Sequence, residues 1–169
     1  MLPTDLTREQ LFVLLENAAK VWLAHDGLWF LAIEKAHGLE EAIKLDAQAW
    51  AGLTVIEAQR IIEMLNLPDG GGITALKQAL NFRLYAYLNQ QEIIETGSNK
   101  IILRMTNCRV QAARKRKNLP DFPCKSVGIE EYTGFARTID PRITTKCLSC
   151  PPDAHPPEFV CAWEFSLEE

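Results

Sequence analysis

The sequence predicts an α+β protein, with N-terminal helices packed on an antiparallel sheet. Three observations carry that reading. Apolar residues recur at helical spacing from Leu11 to about Tyr87, the period of a helix face. From Gln91 the pattern shortens to alternation, with Gly97-Ser-Asn99 between two β-like runs, a hairpin signal. The elements after that point read β-β-α-α-β-β, a grouping that suits helices covering one antiparallel sheet.

In chain order, Thr7-Arg-Glu-Gln10 is a capping-box signature, followed by Leu11, Leu14, Leu15, Ala18, Val21 and Trp22 as a core stripe. The pattern predicts a helix ending near His25 and a second one, capped by Asp26-Gly27, that stops at Gly38. A longer helix follows from Leu39 to about Leu65, with Ala42, Ile43, Ala49, Trp50, Leu53, Ile56, Ile61 and Met64 facing the core. Pro68-Asp-Gly-Gly-Gly72 breaks it, and another helix is expected from Ile73 to about Tyr87. Gln91–Thr96 and Lys100–Thr106 form the first hairpin, placing Ile101, Leu103 and Met105 on one face. Helices are expected over Cys108–Lys117 and Val127–Thr138. Ile143–Leu148 and Phe159–Leu167 form a second hairpin, with Phe159, Cys161, Trp163 and Phe165 sharing a face.

The totals bound the function. A chain of 169 residues with 47% hydrophobic and 24% charged residues matches one globular domain over 1–169, helical over 1–88 and sheet-forming over 89–169. A net charge of −4 argues against a dedicated nucleic-acid binder. The basic run Arg114-Lys-Arg-Lys117 is accordingly read as a solvated helix end whose cations complement the dipole. The polar N-terminus lacks a signal-peptide core, and no apolar run approaches a membrane span. The expectations are a cytoplasmic location, no membrane partner, a small-molecule ligand and room for a homodimer.

Cysteine spacing supplies the sharpest expectation. Cys124, Cys147, Cys150 and Cys161 form the pattern C-x22-C-x2-C-x10-C. In a reducing compartment that spacing reads as a metal site. Four thiolates suit tetrahedral zinc, with an iron–sulfur cluster as the alternative. Closed zinc coordination favours a ligand-binding or sensor module over an enzyme.

The same residues carry a family resemblance. Cys124, Tyr132-Thr-Gly-Phe135, Cys147-x-x-Cys150 and Cys161-Ala-Trp-Glu-Phe165 resemble the 4-vinyl reductase domain. That resemblance implies helices on an antiparallel sheet, as in the ligand-binding domains of nitric-oxide signalling and Golgi-transport proteins, and zinc on the cysteine set. The first residue of the ligand-x-x-Cys pair is often glutamate in that family and is Cys147 here. Trp22-Leu-Ala-His25-Asp-Gly-Leu-Trp29-Phe30, with the later cysteines, is similar to prokaryotic cytosolic proteins of unknown function related to L-2-amino-thiazoline-4-carboxylate hydrolases. The alternative it implies is a hydrolase acting on a small cyclic or amide-like acid.

Away from the metal pattern, His25 is a candidate general base, and Arg104 and Arg109 are candidates to hold a substrate carboxylate through a bidentate fork. Asp26, Trp29, Phe30, Arg83 and Tyr132 are candidate pocket residues. For Asp26 the competing reading is a helix N-cap, and for the aromatics the core.

Overall fold

The computed structural model describes residues 3–167. The ends of the expected 1–169 domain, including the first residues of its polar N-terminus, lie outside that range.

Helix α1 (Arg8–His37) starts on the expected capping box. The Gln10 amide donates to Thr7 Oγ1 at 3.2 Å, and the Thr7 amide donates to Gln10 Oε1 at 2.9 Å. The expected break at His25 does not occur. An interior glycine costs a helix only about 1 kcal/mol relative to alanine, and Gly27 is absorbed into one continuous helix of 30 residues. Asp26 is therefore no N-cap. Its carboxylate projects from mid-helix.

The expected core stripe of α1 is also displaced. Leu11, Leu14 and Val21 are exposed, and the first buried side chain is Ala19. Gly38, at φ 88°, joins α1 to α2 (Leu39–Leu65). Asn66, in the left-handed region at φ 51°, ends α2. On α2, Ala42, Trp50 and Ile61 are buried as expected, while Ile56 and Met64 are exposed.

Helix α3 (Gly72–Leu80) is shorter than the apolar pattern suggested, and a 3-10 turn over Leu84–Tyr87 follows it. Glu57 on α2 accounts for the change. Its carboxylate accepts from the Leu84 amide at 3.0 Å and from Arg83 Nε at 2.8 Å. Both interactions hold this segment away from the helical path.

The sheet contains β1 (Gln90–Gly97), β2 (Lys100–Asn107), β3 (Ile143–Ser149) and β4 (Cys161–Leu167), in the antiparallel order β1-β2-β4-β3. Between the hairpins lie α4 (Arg109–Arg116) and α5 (Lys125–Ile139). The β2–β4 register sets Ile101 opposite Phe165, Leu103 opposite Trp163 and Met105 opposite Cys161. All six are buried, as strand alternation requires of one core-facing side. Phe159 departs from expectation. It precedes the strand, and the Arg104 guanidinium lies 5.0 Å from its ring centre.

Helix α5 fills the space between this face and α2. Two glycines permit the close approach. A Cβ at Gly128 would sit 2.6 Å from Trp163 Cζ2, and one at Gly134 would sit 2.6 Å from Thr54 Cγ2. Among the described residues, no helix is long and apolar enough to cross a membrane.

Candidate functional site: a cavity between the helices and the sheet

A cavity of about 460 Å³ is enclosed by residues of α1, α2, α4 and α5 and by Met105, Cys161 and Trp163 of the sheet. One wall is aromatic: Trp50 stacks on Tyr85 at 5.4 Å, and Trp22 meets both rings edge-on. At its buried end Tyr132 lies 4.8 Å from Trp163. The Trp163 indole N–H is buried and has no hydrogen-bond partner among the described residues. Buried polar groups are almost always paired, so this donor in the cavity wall suits an acceptor brought by a guest.

Charges are arranged in two zones. Asp26 and Asp46 line the interior. Burial, then repulsion from Asp26 and Glu131, pushes the Asp46 carboxyl up to about 7, against the lowering effect of a hydrogen bond from Trp50. Burial also raises Asp26, partly offset by His25. Tyr85 and Tyr132 are held in the phenol form, chiefly by burial. A carboxyl that titrates near neutrality gives the interior a charge that depends on pH.

The charged part of the exposed lining is basic: Lys20, Arg109, Arg116 and Lys117 all reach the cavity. Lys20 pairs with Glu16 at 3.2 Å. Arg109, Arg116 and Lys117 carry no ion pair among the described residues. Arg114, from the same basic run, is spent on structure. It forks onto both oxygens of Glu34 at 3.0 and 3.2 Å and donates to the Pro120 carbonyl at 2.8 Å.

The structure brings some of the sequence-derived candidates together and separates others. Asp26, Phe30, Tyr132 and Arg109 line the cavity; His25, Trp29, Arg83 and Arg104 do not. His25 is exposed on α1, where its Nε2 accepts from the Trp29 indole at 3.1 Å. Arg104 lies on the outer side of the sheet beside Phe159 and Glu92. His25, Arg104 and Arg109 thus do not converge on the cavity. Arg83 lies outside it, held by two carboxylates, although its buried Nη2 has no hydrogen-bond partner among the described residues. It pairs with Glu57 at 2.8 Å and Glu131 at 2.7 Å, with the Phe135 ring 4.6 Å away. Burial works against its charge, but the two carboxylates outweigh burial and raise its pKa. Asp46, Tyr85 and the indole of Trp163 were not singled out by sequence. The available signal was Asp46 and Trp50, one helical turn apart on α2.

The metal expectation is overturned. Cys124 Sγ lies 3.6 Å from Cys150 Sγ, and Cys150 also hydrogen-bonds to Cys161. Yet no group of three or more His, Cys, Asp or Glu side chains among the described residues is placed to hold a metal ion. Zinc on Cys124, Cys147, Cys150 and Cys161 is therefore not supported, nor is an iron–sulfur cluster. Cys147, opposite Trp163 beside a register shift in the strand pair, shares no hydrogen bond with the other thiols among the described residues. Bonds to Cys124 and Cys161 hold Cys150 as a thiol, its pKa raised, while Cys124 is lowered by the bond from Cys150. The contacts are those of hydrogen-bonded thiols in a wall. Cys108 shares that wall, and burial pushes its thiol up to about 12.

A model of a family of unknown function, DUF6125, matches residues 4–167. The chain belongs to that family. No curated protein matches it. The match spans both the helical segment and the sheet, so the cavity between them lies wholly within the family's extent.

Proposed function

We propose that the protein is a binding domain for a small hydrophobic carboxylate. The observation that carries this reading is a mainly apolar cavity whose exposed rim holds three cations without ion pairs. Binding sites of this size are commonly apolar, with a few polar groups that fix orientation. In this reading the apolar body of the ligand lies between the Trp50–Tyr85 stack and Tyr132, and its carboxylate meets Arg109, Arg116 and Lys117. Arginine suits that role because its planar fork matches a carboxylate. The unpartnered Trp163 N–H supplies a donor at the far end.

The helices-on-sheet layout supports the ligand-binding architecture implied by the resemblance to the 4-vinyl reductase domain. A hydrolase working through His25, Arg104 and Arg109 has less support, because those groups are spread over different faces.

Calorimetric titration with naphthylacetate, and with the neutral naphthylethanol, tests the reading. At about 0.4 kcal/mol per non-hydrogen atom, a probe of about 14 such atoms reaches a Kd of roughly 100 µM. The acid should bind one to one and more tightly than the alcohol, and Arg109→Ala should weaken the acid about fivefold. Gly27→Phe should abolish binding, since Gly27 lines the cavity and a Cβ there meets nothing within 4 Å. Equal affinity for acid and alcohol, unaffected by Arg109→Ala, would refute the carboxylate.

A further inference from the structure

The first three turns of α1 leave their apolar side chains uncovered. Leu11, Phe12, Val13 and Leu14 are each about half exposed, and among the described residues no side chain before Ala19 is buried. Around a helix these four consecutive positions point in different directions, so at least part of this apolar surface faces away from the protein's own core. Further along, the exposed positions fall into a narrower stripe: Leu11, Leu14, Ala18, Val21, His25, Leu28 and Ala32. Their spacings alternate between three and four residues, which is the a/d pattern of a coiled-coil seam sustained over three heptads. Leu28 borders the cavity as well, but the rest of the stripe lies on a different side of α1 from Ala19, Trp22, Asp26 and Phe30, which face the protein's own interior.

We infer that this stripe is the seam of a homodimer, in which α1 of one copy packs against α1 of a second. A heptad stripe is self-complementary, as the same patch on both partners of a two-fold dimer must be. No position in the stripe carries a formal charge, so two copies can meet without burying like charges. Leu11, Leu14, Val21 and Leu28, with Trp29 flanking the seam, are 48–69% exposed. Together they offer on the order of 500 Å² of apolar surface per copy, within the range of the largest patch a monomer leaves bare and more than half of the ~800 Å² per partner of a stable interface. A lipid surface fits less well. Membrane surfaces are anionic, this chain carries net charge −4, and Arg8, Glu9 and Glu16 interrupt the N-terminal turns.

Sedimentation of the full chain across micromolar concentrations tests the inference. The expected mass is near twice 19.1 kDa, falling to the monomer in Leu14→Glu/Val21→Glu with an unchanged circular-dichroism spectrum, because both positions are exposed in the single copy. Hydrogen exchange provides a readout that needs no variant: amides of residues 8–18 should gain protection as wild-type concentration rises. A wild-type monomer throughout, a dimer that survives the double substitution while folded, or a monomer that co-sediments with vesicles of anionic phospholipid would each overturn the inference.

Discussion

The substitution Asp46→Asn keeps the shape of the cavity wall and an acceptor for the Trp50 indole, and removes only the charge. In the folded protein the Asp46 carboxyl is raised from 3.8 to about 7, first by burial and then by Asp26 and Glu131. The unfolded chain titrates near 3.8. Below that pH the group is protonated in both states and has no effect on stability. Between 3.8 and 7 the unfolded chain sheds the proton while the folded one keeps it, so wild-type stability falls by about 1.4 kcal/mol per pH unit. Above 7 both states are ionised and the loss levels off. The full loss is at most about 4 kcal/mol, and partial exposure with solvent screening reduces it to about 2 kcal/mol. Urea unfolding of both proteins from about pH 4 to pH 8 measures this directly. The two should be equally stable at the acid end, with Asp46→Asn about 2 kcal/mol more stable at the alkaline end. Curves that stay parallel across the range would show that Asp46 is not held near neutrality.

Two further outcomes follow from buried charge. Arg83→Met leaves Glu57 and Glu131 without their shared cation and should cost about 3–5 kcal/mol in urea midpoint analysis, with part of the loss recovered by adding Glu131→Gln. Asp140 is fully buried, accepts from the Gly72 amide at 3.0 Å and pairs with Arg142 at 2.7 Å. Hydrogen bonds from Arg142, above all, lower its carboxyl from 3.8 to about 2. Asp140→Asn should therefore cost about 2 kcal/mol at neutral pH, a difference present above 3.8 and vanishing as pH falls through 2, read from acid unfolding curves.

The elements with strong local signals were legible in the sequence. The α2 boundaries, the Gly97–Asn99 hairpin and the alternation of Ile101, Leu103 and Met105 follow from periods and turn chemistry. Failures arose where tertiary contacts outweigh local preference. Asp26-Gly27 reads as a helix junction because both residues favour one, yet the chain continues through them at small cost and delivers Asp26 to the cavity. Glu57, 26 residues before Arg83, ends a helix that the apolar pattern would extend. The cysteine spacing misleads as a metal signal: Cys124, Cys150 and Cys161 meet as hydrogen-bonded thiols without Cys147, an outcome of tertiary packing that spacing alone does not encode. The apolar positions at the start of α1 read as core for a related reason: periodicity reports that a face is apolar, not which surface covers it.

Proton–nitrogen correlation spectra recorded during a naphthylacetate titration test the central claim most directly. The account predicts saturable shifts at Gly27, Gly128 and above all the Trp163 indole N–H, with no comparable change in Gly27→Phe. Shifts confined to Leu11–Val21 on the outer side of α1, or an indole signal that does not move, would contradict a ligand in the cavity.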